Sequence, residues 1–143
     1  MRAGGPFIER NGPIYGRVDD DGELMLGFRV LPEQCNQLDI AHGGWMASFM
    51  DTLLPLGVRF SPHGDLAERF LLTINLSLDF MAAAPLGAWI EGRAERLSQT
   101  RSLVFVQGMI RSEGRLLMRG SATYRIGPVT PMSVFDLLSK ERP

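Results

Sequence analysis

Five segments carry the apolar and polar patterning of β-strands. The clearest is FLLTINLSLDF, residues 70–80, which alternates strictly over its whole length. The pattern predicts that Phe70, Leu72, Ile74, Leu76, Leu78 and Phe80 share one face, with Thr73, Asn75, Ser77 and Asp79 on the other. The remaining predicted strands are residues 23–31, 88–97, 102–111 and 115–126.

One segment, from Gly43 to about Val58, instead predicts a helix that is apolar nearly all round. A helix of this kind is buried on most of its sides. Pro55 lies within it, and because proline lacks a backbone N–H, we expect the helix to end or kink near Leu54. Residues 31–41 and 61–65 show no clean period and are predicted to be loops.

The joints between the last three strands, SQT and SEG, are short and resemble turns, so these strands are expected to form an antiparallel meander. The order is therefore a strand, a central helix and four long strands. A curved antiparallel sheet wrapped around one helix would bury all of their apolar faces. The pattern predicts an α+β fold.

Length and charge narrow the picture further. The chain has 143 residues, which fits one domain, with a core at about 14–127 and a tail, 128–143, that forms a short amphipathic helix or a docked arm. A net charge of −1 does not indicate nucleic-acid or membrane binding. Cys35 is the only cysteine, which excludes an intrachain disulfide and cysteine metal clusters. Without a secretory signal, a cytoplasmic protein is expected.

Asp51 is an unusual residue for the middle of such a helix. A buried carboxylate costs several kcal/mol unless it is paired or hydrogen-bonded. One interpretation is that Asp51 faces solvent at an exposed edge or caps a neighbouring loop. The other is that a lone carboxylate among apolar side chains marks a functional site.

The start of the helix offers a second candidate feature, the glycine pair that follows His42. The first amides of a helix have no intrahelical acceptor, and Gly43 and Gly44 let a ligand approach them closely. A carbonyl oxygen held there would be polarised. The alternative is that paired glycines simply ease the turn into the helix.

Helix geometry links these two features. Gly44 and Asp51 are seven residues apart, or about 10 Å along the axis, too far for one carbonyl group to contact both. If both serve one site, the carboxylate must come from Asp51 of the partner subunit. The spacing then predicts a homodimer with two equivalent shared sites.

Asn36, His42, Gly43, Gly44 and Asp51 together form the pattern N-x5-HGG-x6-D. This pattern resembles the signature of the hotdog-fold acyl-CoA thioesterases, and is closest to the branch named for the phenylacetate-degradation thioesterase. The strand LTINLSLDFMAAAPLG and the closing AERLSQTRSLVFVQGMIRSEGRLLMRGSATYRI are similar to the family as well. The resemblance covers roughly residues 23–126.

The resemblance implies a hotdog fold and hydrolysis of an aryl-acyl or short- to medium-chain acyl-CoA to free acid and CoA. The Gly44 N–H would polarise the thioester carbonyl, and Asp51 of the partner subunit would act as nucleophile or general base. Asn36 would bond the water or the carboxylate, His42 would orient the loop, and Thr73 would help to place the water. No metal or separate cofactor is implied, and the dimers are expected to pair into tetramers.

A further set of residues is implied in substrate binding: Gly43, Trp45, Arg93 and Arg101. Arg101 opens a strand where the family often meets coenzyme A phosphates, Arg93 is a weaker candidate, and the Trp45 ring would narrow the acyl channel. The stretch before residue 14 is expected to lack the N-terminal helix that often covers this pocket.

Each supporting residue also has an ordinary structural interpretation. Asn36 can close an Asx-type turn, His42 can be a residue of the helix start, and Thr73 fits a half-buried strand by propensity. Arg101 can be a solvated turn residue. Two rival functions stay open: an acyl-CoA-binding protein of the same fold without catalysis, and a dehydratase or hydratase.

Overall fold

The structure, a computed structural model, describes residues 5–130. The expected helix or arm of the tail, at about 132–140, lies outside these residues. In chain order the elements are α1 (Gly5–Asn11), β1 (Tyr15–Val18), β2 (Leu24–Arg29), a 3₁₀ turn (Pro32–Gln34), α2 (Gly43–Arg59), β3 (Arg69–Phe80), β4 (Trp89–Gln99), β5 (Leu103–Ser112) and β6 (Arg115–Val129).

The strands form one antiparallel sheet in the order β1-β2-β4-β5-β6-β3. It curves around α2, so the predicted α+β fold and the hotdog arrangement are confirmed. The meander of β4, β5 and β6 is also as predicted. β1 and β3 form the two edges of the sheet, and β3 is therefore hydrogen-bonded along one side only.

The core lies between α2 and the concave face of the sheet. Phe49, Met50, Leu53 and Leu54 on α2 are fully buried there. The helix approaches closely because its facing positions on the sheet lack side chains. A Cβ atom at Gly108 would lie 2.6 Å from the Leu54 side chain, closer than packed carbon atoms come.

The expected end of α2 near Leu54 is wrong, because the helix continues to Arg59, while the alternative of a kink there stays a prediction. Proline removes one intrahelical hydrogen bond, to the Asp51 carbonyl, at a cost of about 3 kcal/mol. Leu54 and Val58, on either side of it, are buried against the sheet. Their burial offsets this cost, since each buried aliphatic side chain contributes roughly 2 kcal/mol.

The N-terminal segment also differs from expectation, since it contains the short helix α1. Ile8 is its buried apolar residue. The Asn11 carbonyl accepts a hydrogen bond of 2.6 Å from the Gln34 side chain, which ties the helix end to the loop before α2. A seven-residue helix with one buried side chain leaves no apolar period to detect.

Candidate functional site

Asp51 lies half-buried on α2 and is held by the sheet. Its Oδ1 atom accepts a hydrogen bond from Thr73 Oγ1 at 3.0 Å and a longer one from the Tyr124 hydroxyl at 3.4 Å. Within residues 5–130, no cation forms a salt bridge with this carboxylate. Asp51 therefore lies at a partly exposed edge, but its Oδ1 atom is held by the sheet, and Oδ2 is left without a protein donor in the described chain.

A β-bulge places Thr73 beside Asp51. Thr73 pairs with the buried Tyr124 across β3 and β6, but the next ladder partner on β3 is Asn75, so Ile74 is an extra residue. The bulge reverses the alternation, since a single inserted residue exchanges the two faces of a strand. Thr73 therefore faces α2, on the same side as Leu76.

The alternation predicted for β3 is thus only partly correct. Leu76 and Leu78 face the helix, opposite Ala122 and Gly120, as expected. Thr73, however, lies on their face rather than on that of Asn75 and Ser77. Four residues of the predicted apolar face are instead solvent-exposed in this chain: Phe70, Leu72, Ile74 and Phe80.

The start of α2 presents one free amide, and it is not the one expected. His42 caps the helix, and its Nδ1 atom accepts a hydrogen bond from the Gly44 N–H at 2.9 Å. The Gly43 N–H, in contrast, has no acceptor among the described residues, and Gly43 is exposed. The geometry therefore makes Gly43, rather than Gly44, the amide open to a ligand.

The hydrogen bond from Gly44 also determines which nitrogen of the neutral His42 ring carries the proton. Because Nδ1 accepts a hydrogen bond from the Gly44 N–H, the neutral ring carries its own proton on Nε2. His42 is solvent-exposed, so Nε2–H can donate to a ligand at the helix start. Both roles considered for His42, local structure and ligand contact, are compatible with this geometry.

Asn36 closes an Asx-type turn, as one interpretation holds. Its Oδ1 atom accepts the Leu38 N–H at 2.9 Å. The loop folds back on the helix start because the Asn36 N–H bonds the Ile40 carbonyl and the His42 N–H bonds the Gln34 carbonyl. The Asn36 side-chain NH₂ has no partner within residues 5–130 and remains available as a donor.

Tyr124 is the site residue that the sequence analysis missed. It is fully buried, and its hydroxyl points to Asp51. Burial, the negative charge of Asp51 and their hydrogen bond all raise the pKa of this phenol far above its usual range. Its signal in the sequence is weak, because an inward-facing tyrosine on β6 looks like any other core aromatic.

The binding residues are not all brought to this site. Trp45 is only 6% exposed and packs edge-on against Phe28, with ring centroids 5.5 Å apart, so it belongs to the core rather than to an open channel. Arg93 forms an ion pair with Asp19. Arg101 is exposed in the turn between β4 and β5 and is available to a ligand.

A cavity of about 610 Å³ opens elsewhere, over β4, β5 and the C-terminal end of α2. Val58, Arg93 and Met109 are among its walls, and neither Asp51 nor the helix start lines it. The cavity is therefore separate from the candidate site, which lies open along the β3 edge of the single chain. Among residues 5–130, no group of three or more His, Cys, Asp or Glu side chains is arranged to hold a metal ion.

Comparison with known families places these features in context. The family described as "Thioesterase superfamily" matches residues 38–118, more than half of the chain. A protein of Pseudomonas aeruginosa named as a candidate esterase is 28% identical over 123 residues, which cover 85% of this chain and 88% of the relative. The family match contains α2, β3, β4 and β5 and the first residues of β6.

Solved structures share the fold. Zebrafish thioesterase superfamily member 2 superposes with a TM-score of 0.69 at 22% identity, over 80% of this chain and 81% of that one. A hypothetical thioesterase of Streptococcus pneumoniae with coenzyme A gives 0.71 at 18%, over 82% and 88%. A Streptococcus mutans protein bound to acetyl-CoA gives 0.71 at 13%, over 82% and 91%. In the described part of this chain, no helix has the length and hydropathy needed to cross a membrane.

Proposed function

Because the chain belongs to the thioesterase superfamily, we propose that it hydrolyses an acyl-CoA thioester to a free acid and CoA. The observation that carries the proposal is the state of Asp51, a half-buried carboxylate held through Oδ1 by two hydroxyl donors. A carboxylate fixed in this way, with its second oxygen free, is suited to attack a carbonyl or to activate water.

The site needs a second copy of the chain. The unbroken helix α2 keeps Asp51 and the Gly43 amide about 12 Å apart along one axis, eight residues at 1.5 Å each. A carbonyl bound at one helix start can therefore be reached only by Asp51 of the partner subunit. Two helices running antiparallel across a two-fold axis would bring each carboxylate to the other's amide.

The surface around Asp51 supports this pairing. A stripe along α2 is incompletely covered by the chain's own sheet, and its members recur at helical spacing: Gly44, Ala47, Ser48, Asp51, Thr52 and Pro55. The adjoining strand β3 is a free edge with exposed apolar residues. A second copy seated there would cover both, so we propose a homodimer, with dimers pairing into a tetramer.

The proposed reaction uses few groups. The thioester oxygen accepts the Gly43 N–H at the positive end of α2, and Gly44 adds its own N–H only when the His42 ring turns aside. The Asn36 NH₂ and His42 Nε2–H can donate to the same substrate. Asp51 of the partner subunit either attacks the carbonyl, forming an acyl anhydride that water then hydrolyses, or takes a proton from a water molecule that attacks the carbonyl. In both routes the C–S bond breaks, the sulfur leaves as the CoA thiolate, and the oxygen of water ends in the free acid.

Coenzyme A is the proposed carrier group, supported by two structural neighbours that were solved with coenzyme A or acetyl-CoA. Arg101 is the basic residue proposed to meet its phosphates. An aryl or short- to medium-chain acyl group fits the exposed Phe80 ring, which lies beside Gly43. The chemistry requires no metal or separate cofactor, because a thiolate leaves readily. We place the reaction in the cytoplasm.

The alternative, an acyl-CoA-binding protein without turnover, has one observation in its favour. Gly44 donates its N–H to His42, which removes the expected donor from the carbonyl. A binding protein, however, has no need for a carboxylate held by two buried or strand-borne hydroxyls.

A thiol-release assay separates these functions. The full-length protein is given a panel of aryl-, short- and medium-chain acyl-CoAs, beside Asp51→Asn, which keeps the side-chain shape. We expect turnover of at least one substrate and a loss of kcat of about 10³-fold in the variant, with KM little changed. Saturable acyl-CoA binding without thiol release, or full activity in Asp51→Asn, would contradict the proposal.

A further inference from the structure

We propose that Tyr124 is a positioning residue for this reaction: its hydroxyl holds Asp51 so that the free carboxylate oxygen faces the thioester bound by the partner subunit. This inference rests on the proposed function and extends it to a residue that does not touch the substrate. Three features of the structure support it: the pairing of Tyr124 with Thr73, the burial of Tyr124, and the single oxygen that both residues contact.

Tyr124 and Thr73 are direct partners across the β6–β3 ladder. Their hydroxyls converge on Oδ1 of Asp51, at 3.4 and 3.0 Å. Two donors on one oxygen restrain the rotation of the carboxylate and leave Oδ2 without a protein partner in the described chain. The carboxylate thus has one held oxygen and one free oxygen, which is the division of roles that directed attack requires.

Because Tyr124 is buried, its hydroxyl remains a hydrogen-bond donor. Its side chain is 0% exposed, and the phenol pKa is raised by burial and by the Asp51 charge, so the hydroxyl keeps its proton throughout the neutral range. The charged residues of β3 and β6 are all solvent-exposed: Arg69, Asp79, Arg115, Arg119 and Arg125. On α2 itself, His42 lies more than two turns away and Arg59 bonds the Ala67 carbonyl. Tyr124 is therefore the titratable group that contacts Asp51.

Tyr124→Phe removes only the hydroxyl, and Tyr15→Phe provides a matched control. Tyr15 is exposed and contacts Trp89 through its ring in a tilted arrangement, which phenylalanine retains. In Tyr124→Phe we expect kcat to fall about tenfold, the equivalent of one weak hydrogen bond to a charged group, with KM within about twofold of wild type. Tyr15→Phe should change neither quantity.

A second measurement tests the contact between Tyr124 and Asp51 without using enzyme activity. In a Tyr15→Phe background, 3-fluorotyrosine labels position 124 alone, and its ¹⁹F signal follows ionisation of the phenol. Replacing Asp51 by Asn removes the nearby negative charge, so the fluorophenol should ionise at lower pH than with Asp51 present. An unchanged titration would show that the hydroxyl and the carboxylate are not in contact.

The outcomes separate this role from a structural one and from the proposed function. Equal kcat values for Tyr124→Phe and Tyr15→Phe in an active enzyme would overturn the role of Tyr124 alone. A loss of thermal stability in Tyr124→Phe, together with a ¹⁹F titration that does not respond to Asp51→Asn, would also overturn it, because packing would then explain the loss. Absence of thiol release by the wild type overturns the proposed function and this role together.

Discussion

The two edges of the sheet differ in length and in what they carry. β1 forms one edge with four residues, and β3 forms the other with twelve. Both expose an aliphatic residue to nearly the same extent, Val18 at 59% and Ile74 at 58%. The β1 edge is short, and short edges resist pairing with another chain. The β3 edge is long and apolar, which is typical of a sheet edge that a partner subunit covers.

Chemistry is also concentrated at one edge. Thr73 lies on β3, and the carboxylate it holds belongs to the exposed stripe of α2 beside that strand. The β1 edge carries Arg17, near Glu91, and a tyrosine whose ring contacts Trp89. The sheet edge that is suited to binding a second copy of the chain is therefore also the edge at which the incomplete site is exposed. Assembly and activity should therefore be lost together.

The largest expected effect comes from placing a charge on each edge in turn. Ile74→Lys would place an unpaired charge in the proposed dimer interface, where it would be buried. We expect the protein to dissociate to monomers and to lose at least 90% of its thiol-release activity. Val18→Lys is the matched control, because it adds the same charge at an equally exposed edge position. It should leave mass and activity at the wild-type level.

Light scattering after size exclusion gives the mass of each variant, and the thiol assay gives its activity at the same protein concentration. A monomeric Ile74→Lys protein that keeps full activity would break the link between this edge and the site. Dissociation caused by Val18→Lys would assign the interface to the other edge.

A smaller effect is expected from the bulge that turns Thr73 inward. Thr73→Ala should lower kcat about tenfold, since it removes one hydrogen bond to a charged group, and Thr73→Ser should restore most of the activity. Ser77→Ala, on the outer face of the same strand, is the control and should have no effect. Equal activities in Thr73→Ala and Ser77→Ala would show that the contact with Asp51 has no part in catalysis.

The sequence predicts the fold well because its signals are periodic. Long alternating strands and one apolar helix specify a sheet around a helix, and the short joints specify the meander. Features that depend on one residue were harder to foresee. Pro55 indicates a helix break by its own chemistry, yet the burial of Leu54 and Val58 keeps the helix intact.

The candidate site was predictable where a motif marks it and not where tertiary contacts make it. Asp51, His42 and the glycines stand out in the sequence, but the choice between the Gly43 and Gly44 amides depends on where the His42 ring lies. Thr73 reaches Asp51 only because of an extra residue at Ile74, which strict alternation hides. Tyr124 becomes visible only when β6 is seen to pair with β3.

Subunit complementation tests the shared site most directly. Asp51→Ala removes the carboxylate, and Gly43→Val covers the helix-start amide, so each homodimer should be inactive. Refolding an equal mixture gives heterodimers in which one of the two sites is intact, and about a quarter of wild-type activity should return. If Asp51 and the amide served one site within the same protomer, every heterodimer would be inactive. Absence of recovered activity in verified heterodimers would contradict the account.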